Sequence, residues 1–263
     1  MINLKKFMII GIVLIIIGAI GSLLTFRNHG IDISEEKVFK QSNITTIELE
    51  SNNAGIEIIP TKDTETKVEL FGKGSKETIP NFTAKVEGET LVVKWEERQF
   101  GIINLDFSSL TLKITLPEKQ YESMTINNDN GKVHLADLNI KKLKAESNNG
   151  RINIKNILSE KVEVRSDNGK VNLDQVSGDI KGKTNNGRIS LKTATLDMPI
   201  QLETDNGSIE IETEKEPTNV TFDVHVDNGS VNILDKYKGS TVIGNGENLV
   251  KLKTNNGKIQ VLN

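Results

Sequence analysis

The sequence predicts an all-β protein: a parallel β-solenoid of the single-stranded β-helix type, with coils of about 19 residues, preceded by one N-terminal transmembrane helix. Three observations predict it. One long apolar run near the N-terminus carries no charge. A short Asn/Asp-rich, Gly-ended motif recurs through the second half of the chain. Residues around each copy alternate apolar and polar with period two, and no long helical pattern interrupts them.

The apolar run is FMIIGIVLIIIGAIGSLLTF, residues 7–26, preceded by Lys5 and Lys6 and ended by Arg27 and His29. Twenty helical residues span about 30 Å, the thickness of a bilayer's hydrocarbon core. The apolar core of a cleaved signal peptide is shorter, about 7–15 residues, and ends at a small-x-small site. The run is therefore read as an uncleaved single-pass anchor. Lys5 and Lys6 favour a cytoplasmic N-terminus, which places the remaining chain outside the membrane. The expected organisation is a cytoplasmic N-terminus (1–6), a transmembrane helix (7–26) and a juxtamembrane linker (27–44). An N-terminal cap with the first β coils (45–121) and regular solenoid repeats (122–263) follow.

Composition narrows the function. The 263 residues include no cysteine, so disulfides, Cys-ligated metals and thiol nucleophiles are excluded. The net charge of -3 divides unevenly: setting aside Lys5, Lys6 and Arg27 leaves 30 basic against 36 acidic residues, or -6 outside the membrane. That balance, with aromatics at 4%, argues against nucleic-acid binding. It also argues against attraction to anionic polymers, except through cations or a local patch.

The repeat copies read NDNGKVHL (128–135), SNNGRINI (147–154), SDNGKVNL (166–173), TNNGRISL (184–191), TDNGSIEI (204–211), VDNGSVNI (226–233) and TNNGKIQV (254–261), with an outlying SNNAGIEI (51–58). Their glycines, 131, 150, 169, 187, 207, 229 and 257, are spaced 19, 19, 18, 20, 22 and 28 residues apart. Counted from Gly131, the inward set is Val133, Leu135, Leu138, Ile140, Leu143 and Ala145; from Gly150 it is Ile152, Ile154, Ile157, Val162 and Val164. Each period thus makes a coil of short strands joined by corners, about seven coils over 122–263. A stack buries the apolar column that one coil cannot bury alone. Asn-Gly and Asp-Gly also make antiparallel hairpin turns, which leaves a meander, sandwich or propeller as the runner-up geometry. In either geometry glycine is expected to supply positive φ. Ser147, Ser166, Thr184, Thr204 and Thr254 should sit at the inner edge of the corner, bonded to a neighbouring coil. Asn148, Asn185 and Asn255 are expected to form ladders.

Residues 32–121 alternate less regularly and carry Trp95, Phe100 and Phe107. KVEGETLVVKW reads as a hairpin at Gly88, FGKGSK with Gly72 and Gly74 as a loop, and Pro117 as a strand-ending corner. The chain stops on KIQVLN. The last coil is therefore expected to leave an exposed edge through which the protein can self-associate.

The anchor, the ITLP strand end at 114–117 and the repeated [ST]-[ND]-N-G-x-[IV]-x-[ILV] resemble a bacterial family of adhesin candidates that includes membrane-anchored envelope proteins similar to LiaG of Gram-positive bacteria. The resemblance covers roughly residues 45–262. It implies a β-solenoid fold, an envelope location and a part in the envelope stress response. It carries over no catalytic residues. Val226, in place of Ser or Thr, and the 28-residue last interval depart from the pattern.

Candidate chemistry lies at the corner. Asp129, Asp167, Asp205 and Asp227 recur there, and Lys132, Arg151, Lys170 and Arg188 follow the glycine. Stacked carboxylates can hold Ca²⁺ or act on a polysaccharide. Asn148 and Asn185 interrupt this row, however, as relief of repulsion would require, and the basic residues are expected to balance it. His29, His134 and His225 lack metal-ligand spacing. No catalytic, cofactor-binding or metal residue is assigned, and no cofactor is expected. The function expected is a membrane-anchored extracytoplasmic binding module facing a cell-wall polymer or envelope protein. A self-assembling structural solenoid and a carbohydrate-active β-helix enzyme are the alternatives.

Overall fold

The computed structural model describes residues 11–18, 21, 31–74, 81–96 and 109–263. Residues 11–18 are helical and expose the side chains of Ile12 to Ile17. The rest of the expected membrane span lies outside the described residues, Gly21 apart, as do Lys5, Lys6, Arg27, His29, Phe100 and Phe107. Among the described residues no helix is long and apolar enough to cross a membrane.

The described residues then form fourteen strands: β1 (Ile31–Phe39), β2 (Thr46–Ser51), β3 (Ala54–Thr61), β4 (Thr66–Gly74), β5 (Phe82–Glu87), β6 (Thr90–Trp95), β7 (Ser109–Pro117), β8 (Gln120–Leu158), β9 (Lys161–Val176), β10 (Asp179–Thr193), β11 (Ile200–Thr213), β12 (Val220–Ile233), β13 (Thr241–Ile243) and β14 (Asn248–Leu262). They form one sheet, folded at the Asn-Gly corner into two faces. The first face holds the segments before the corner, such as 142–147 and 161–166. The second holds those after it, such as 151–157 and 170–176. Successive coils pair in parallel with matched repeats: Val162 meets Ile180, and Val171 meets Ile189. Parallel pairing excludes the hairpin array.

Alternation explains the core. Val133, Ile140, Ile152, Val162 and Val171 are fully buried, while their sequence neighbours are more exposed. Narrow coils leave room for one aliphatic side chain at each inward position, and Gly182 marks where the column tightens. A Cβ there would lie 2.8 Å from Leu202 Cδ2 on the next coil. The larger rings sit toward the ends of the stack. Trp95 faces Phe82 across the β5–β6 hairpin, and Phe222 lies in β12.

The stacking order departs from the chain order at both ends. On the second face it runs β1-β4-β7-β3-β8-β9-β10-β11-β14-β12, and β6 extends the first face beyond β2. The coil made by β6 and β7 is thus the last parallel coil at one end, covered by the antiparallel strands β4 and β1 on the second face and by β5 on the first, although β2 and β3 precede it in sequence. At the other end β14 slots between β11 and β12. The expectation that the last coil leaves an exposed edge is therefore corrected: within KIQVLN, Ile259, Gln260 and Val261 are paired on both sides. The 28-residue interval exists because 234–247 must carry the chain out past β12 and back. The end of the stack is β12, where β13 covers only Val220, Thr221 and Phe222.

Two further corrections concern the first part of the chain. Residues 31–39, within the expected linker, form β1 and pair antiparallel with β4. Gly72 and Gly74, read as a loop, belong to β4. There a Cβ on Gly72 would lie 2.1 Å from the Ser109 carbonyl oxygen.

Candidate binding surface

Each corner is built by residues with separate duties. Ser166, Thr184, Thr204 and Thr254 are buried at its inner edge. The hydroxyls of Ser166, Thr204 and Thr254 donate to the Gly150, Gly187 and Gly207 carbonyls of the preceding coil in the stack, at 3.4, 3.4 and 3.2 Å, whereas the buried Ser147 and Thr184 hydroxyls, expected to bond likewise, have no hydrogen-bond partner among the described residues. The glycine is there chiefly for close approach. A Cβ on Gly169 would lie 1.7 Å from the Gly150 carbonyl oxygen, and on Gly187 1.7 Å from that of Gly169. Neither adopts left-handed φ, which corrects the expectation that positive φ selects glycine at every corner. The left-handed residues sit at the next corner instead. Asp137 (φ 58), Asn156 (φ 50) and Gln175 (φ 53) recur six positions after the glycine. The short amide and carboxyl side chains among them, which tolerate that conformation, were the only sequence signal for it.

The asparagine before each glycine forms the continuous ladder. Its amide donates to the same residue of the coil before it: Asn130 to Asn53 (2.7 Å), Asn149 to Asn130 (3.1 Å), Asn168 to Asn149 (3.0 Å), Asn186 to Asn168 (2.9 Å), Asn206 to Asn186 (3.1 Å), Asn256 to Asn206 (2.9 Å) and Asn228 to Asn256 (3.1 Å). The residues expected to ladder, Asn148, Asn185 and Asn255, pair instead with aspartates. They donate to Asp129 (2.7 Å), Asp167 (3.2 Å) and Asp205 (3.4 Å). In stacking order this row reads Asn52, Asp129, Asn148, Asp167, Asn185, Asp205, Asn255, Asp227. The alternation is strict only because β14 stands between β11 and β12. No two of its carboxylates are neighbours, and Asp129, Asp167 and Asp205 converge on nothing. Asp167 also takes Arg165 at 2.9 Å, and Asp227 takes His225 at 2.8 Å. His134 lies on the outer side of the second face, opposite Glu57.

The outer side of the first face is laced by ion pairs between coils. They include Lys94–Glu50 (2.8 Å), Lys183–Glu203 (3.5 Å) and Lys251–Asp223 (3.6 Å). Hydrogen bonds to carboxylates hold Lys94 (to Glu50), Lys141 (to Glu122) and Lys192 (to Glu212) above the ordinary lysine range. A shallow depression of about 120 Å³ lies among Glu48, Glu50, Val92, Lys94, Thr125 and Asn127. Among the described residues, no group of three His, Asp or Glu side chains is placed to hold a metal ion. The second face differs: Lys132, Arg151, Lys170 and Arg188 stack in consecutive coils along its corner edge.

The sequence profile of the toastrack family, DUF4097, matches residues 44–176 and again 126–262, so two overlapping matches span nearly the whole strand region. The chain belongs to the toastrack family. Its overlapping matches agree with a repeat that has no unique starting coil. No curated protein sequence matches this toastrack chain. Among solved structures it is similar to a cell-adhesion candidate from Clostridium sporogenes (17% identity, 88% of this chain and 99% of that one, TM-score 0.42). An adhesin candidate from Bacteroides fragilis is also similar (15%, 88% and 97%, TM-score 0.47), as is one from Parabacteroides distasonis (10%, 88% and 98%, TM-score 0.42).

Proposed function

We propose that this toastrack chain is a membrane-anchored, extracytoplasmic binding module of the cell envelope. It is held by residues 7–26 with its N-terminus in the cytoplasm of a Gram-positive-type bacterium, and it is adhesin-like with a part in the envelope stress response. The observation that carries the reading is the pair of long β faces running the length of the stack. Their inner sides are sealed by aliphatic columns and their outer sides offer ordered rows of polar groups. Such a surface suits an extended partner better than a small substrate. The aspartate row supports binding over catalysis. An Asn of the adjoining coil separates successive carboxylates, whereas glycosidic chemistry needs two carboxyl groups facing one bond.

Location and partner are testable together. In cells expressing the full chain, protease added after removal of the wall should digest the strand region from outside and leave it membrane-bound beforehand. Deleting residues 7–26 should release it. Crosslinking in the native host should capture wall polymer or an envelope protein. Digestion only after lysis would overturn the reading.

A further inference from the structure

The two charged rows of the corner are treated in opposite ways. The acidic row is relieved at every step by an asparagine, down to the insertion of Asn255 between Asp205 and Asp227. The basic row three residues further on is not relieved. Arg151 pairs in register with Lys170, and Lys170 with Arg188. The 19-residue offset seen at Asn148–Asp129 and Asn149–Asn130 sets Lys132 beside Arg151. Four cations therefore stand at the strand spacing of about 4.8 Å, in a ridge about 14 Å long. All four are exposed. Among the described residues none has a carboxylate within ion-pair distance, and only Arg188 is engaged, its Nε donating to Ser208 Oγ at 3.1 Å. The expected balancing by the corner aspartates does not occur; Asp167 takes Arg165 instead.

Like charges directly opposite on neighbouring strands destabilise a sheet. On the first face Lys142 stands opposite Lys161 and Arg165 opposite Lys183, whereas on the second face the other charged row avoids this. Lys155 meets Asp174 at 4.0 Å, and Lys192 meets Glu212 at 3.0 Å. Between those pairs and the ridge runs a neutral polar row of His134, Asn153, Asn172 and Ser190. In it Asn172 donates to Asn153 at 2.7 Å. The ridge is the local patch that the charge of -6 beyond Arg27 left open.

We propose that the Lys132–Arg151–Lys170–Arg188 ridge is a binding site for a linear phosphodiester polymer lying along the solenoid axis, with the polymer's hydroxyls over the neutral row. The inference deepens the binding-module reading and rests on it. A line one residue wide fits a chain rather than a plane. The acidic remainder of the surface would repel an anionic bilayer. Arginine alternating with lysine offers forked donors to phosphate oxygens at every second coil.

The test uses the full chain in phosphatidylcholine nanodiscs and synthetic poly(glycerol phosphate) as the probe. Wild type should bind the polymer, with affinity falling at least about tenfold between low and physiological salt. K132Q/R151Q/K170Q/R188Q should weaken binding at least about tenfold, while K142Q/K161Q on the first face should not change it. The quadruple variant should melt no lower than wild type without polymer, because it loses repulsion and no ion pair. That separates lost binding from lost fold. Equal binding by the quadruple variant would overturn the site. So would no binding by wild type, or tighter binding to polygalacturonate, to phosphatidylglycerol vesicles or to single-stranded DNA. The protease experiment stands apart from this one. A chain facing the cytoplasm that still bound the polymer would sink the envelope reading and leave the ridge intact.

Discussion

Gly169 and Gly88 show how differently the same residue type can be required. A Cβ on Gly169 would collide with backbone 1.7 Å away on the preceding coil, and neither coil can move without dragging its ladder. Gly169→Ala should therefore cost about 3 kcal/mol, read by denaturant unfolding. Gly88 has φ +63 and open space around it, so Gly88→Ala should cost only the left-handed strain, about 1 kcal/mol. The Asp/Asn row offers a second test at this scale. Asn148→Asp would set three carboxylates, at 129, 148 and 167, in adjacent coils, costing about 1 kcal/mol near neutral pH. Repulsion raises carboxylate pKa values. The loss should therefore be present above the ordinary carboxylate range and fade as pH falls through the raised values, which unfolding at about pH 7 and about pH 4 would show.

At the scale of the element, β14 matters most. A C-terminal segment is usually free to fray, yet β14 is hydrogen-bonded along both edges, to β11 and to β12. Hydrogen exchange should find its amides as protected as those of β9, with β13 and 234–247 exchanging fast. Truncation before Asn248 should do more than remove one coil, since it also strips β12 of its parallel partner. The far-UV and melting signals should then lose both outer coils together. The sequence showed that the 226–257 interval was irregular but carried no sign of where the extra residues led. Periodicity names which residues belong to a coil and is silent on the order in which coils stack. That order follows from which edges remain open when the connection is long enough to double back.

The whole molecule is stabilised by repetition, with ion pairs crossing from coil to coil on its outer side. The raised pKa values of Lys94, Lys141, Lys192 and Lys236 come first from hydrogen bonds to Glu50, Glu122, Glu212 and Glu216. A lysine pKa raised by folding contributes stability that is fully present below the ordinary value of 10.5 and is lost as pH rises through the raised value. The melting temperature should hold across neutral pH and fall only in the strongly alkaline range. Because these side chains are exposed, the fall should be shallow and salt-sensitive.

The sequence by itself determined the all-β class, the coil period and the inward positions. A period-two pattern repeated every 18 to 22 residues, with inward Val133, Leu135, Ile152 and Ile154, has one way to bury its apolar side. It also held the Asp/Asn alternation, broken only where Asp227 follows Asp205. Tertiary structure alone decided that Asn255 lies between those two and that β12, not β14, ends the stack. It also decided that the four basic residues after the glycines stand unneutralised in one line. All three depend on which coil lies beside which, a relation between residues up to fifty apart that no local pattern encodes.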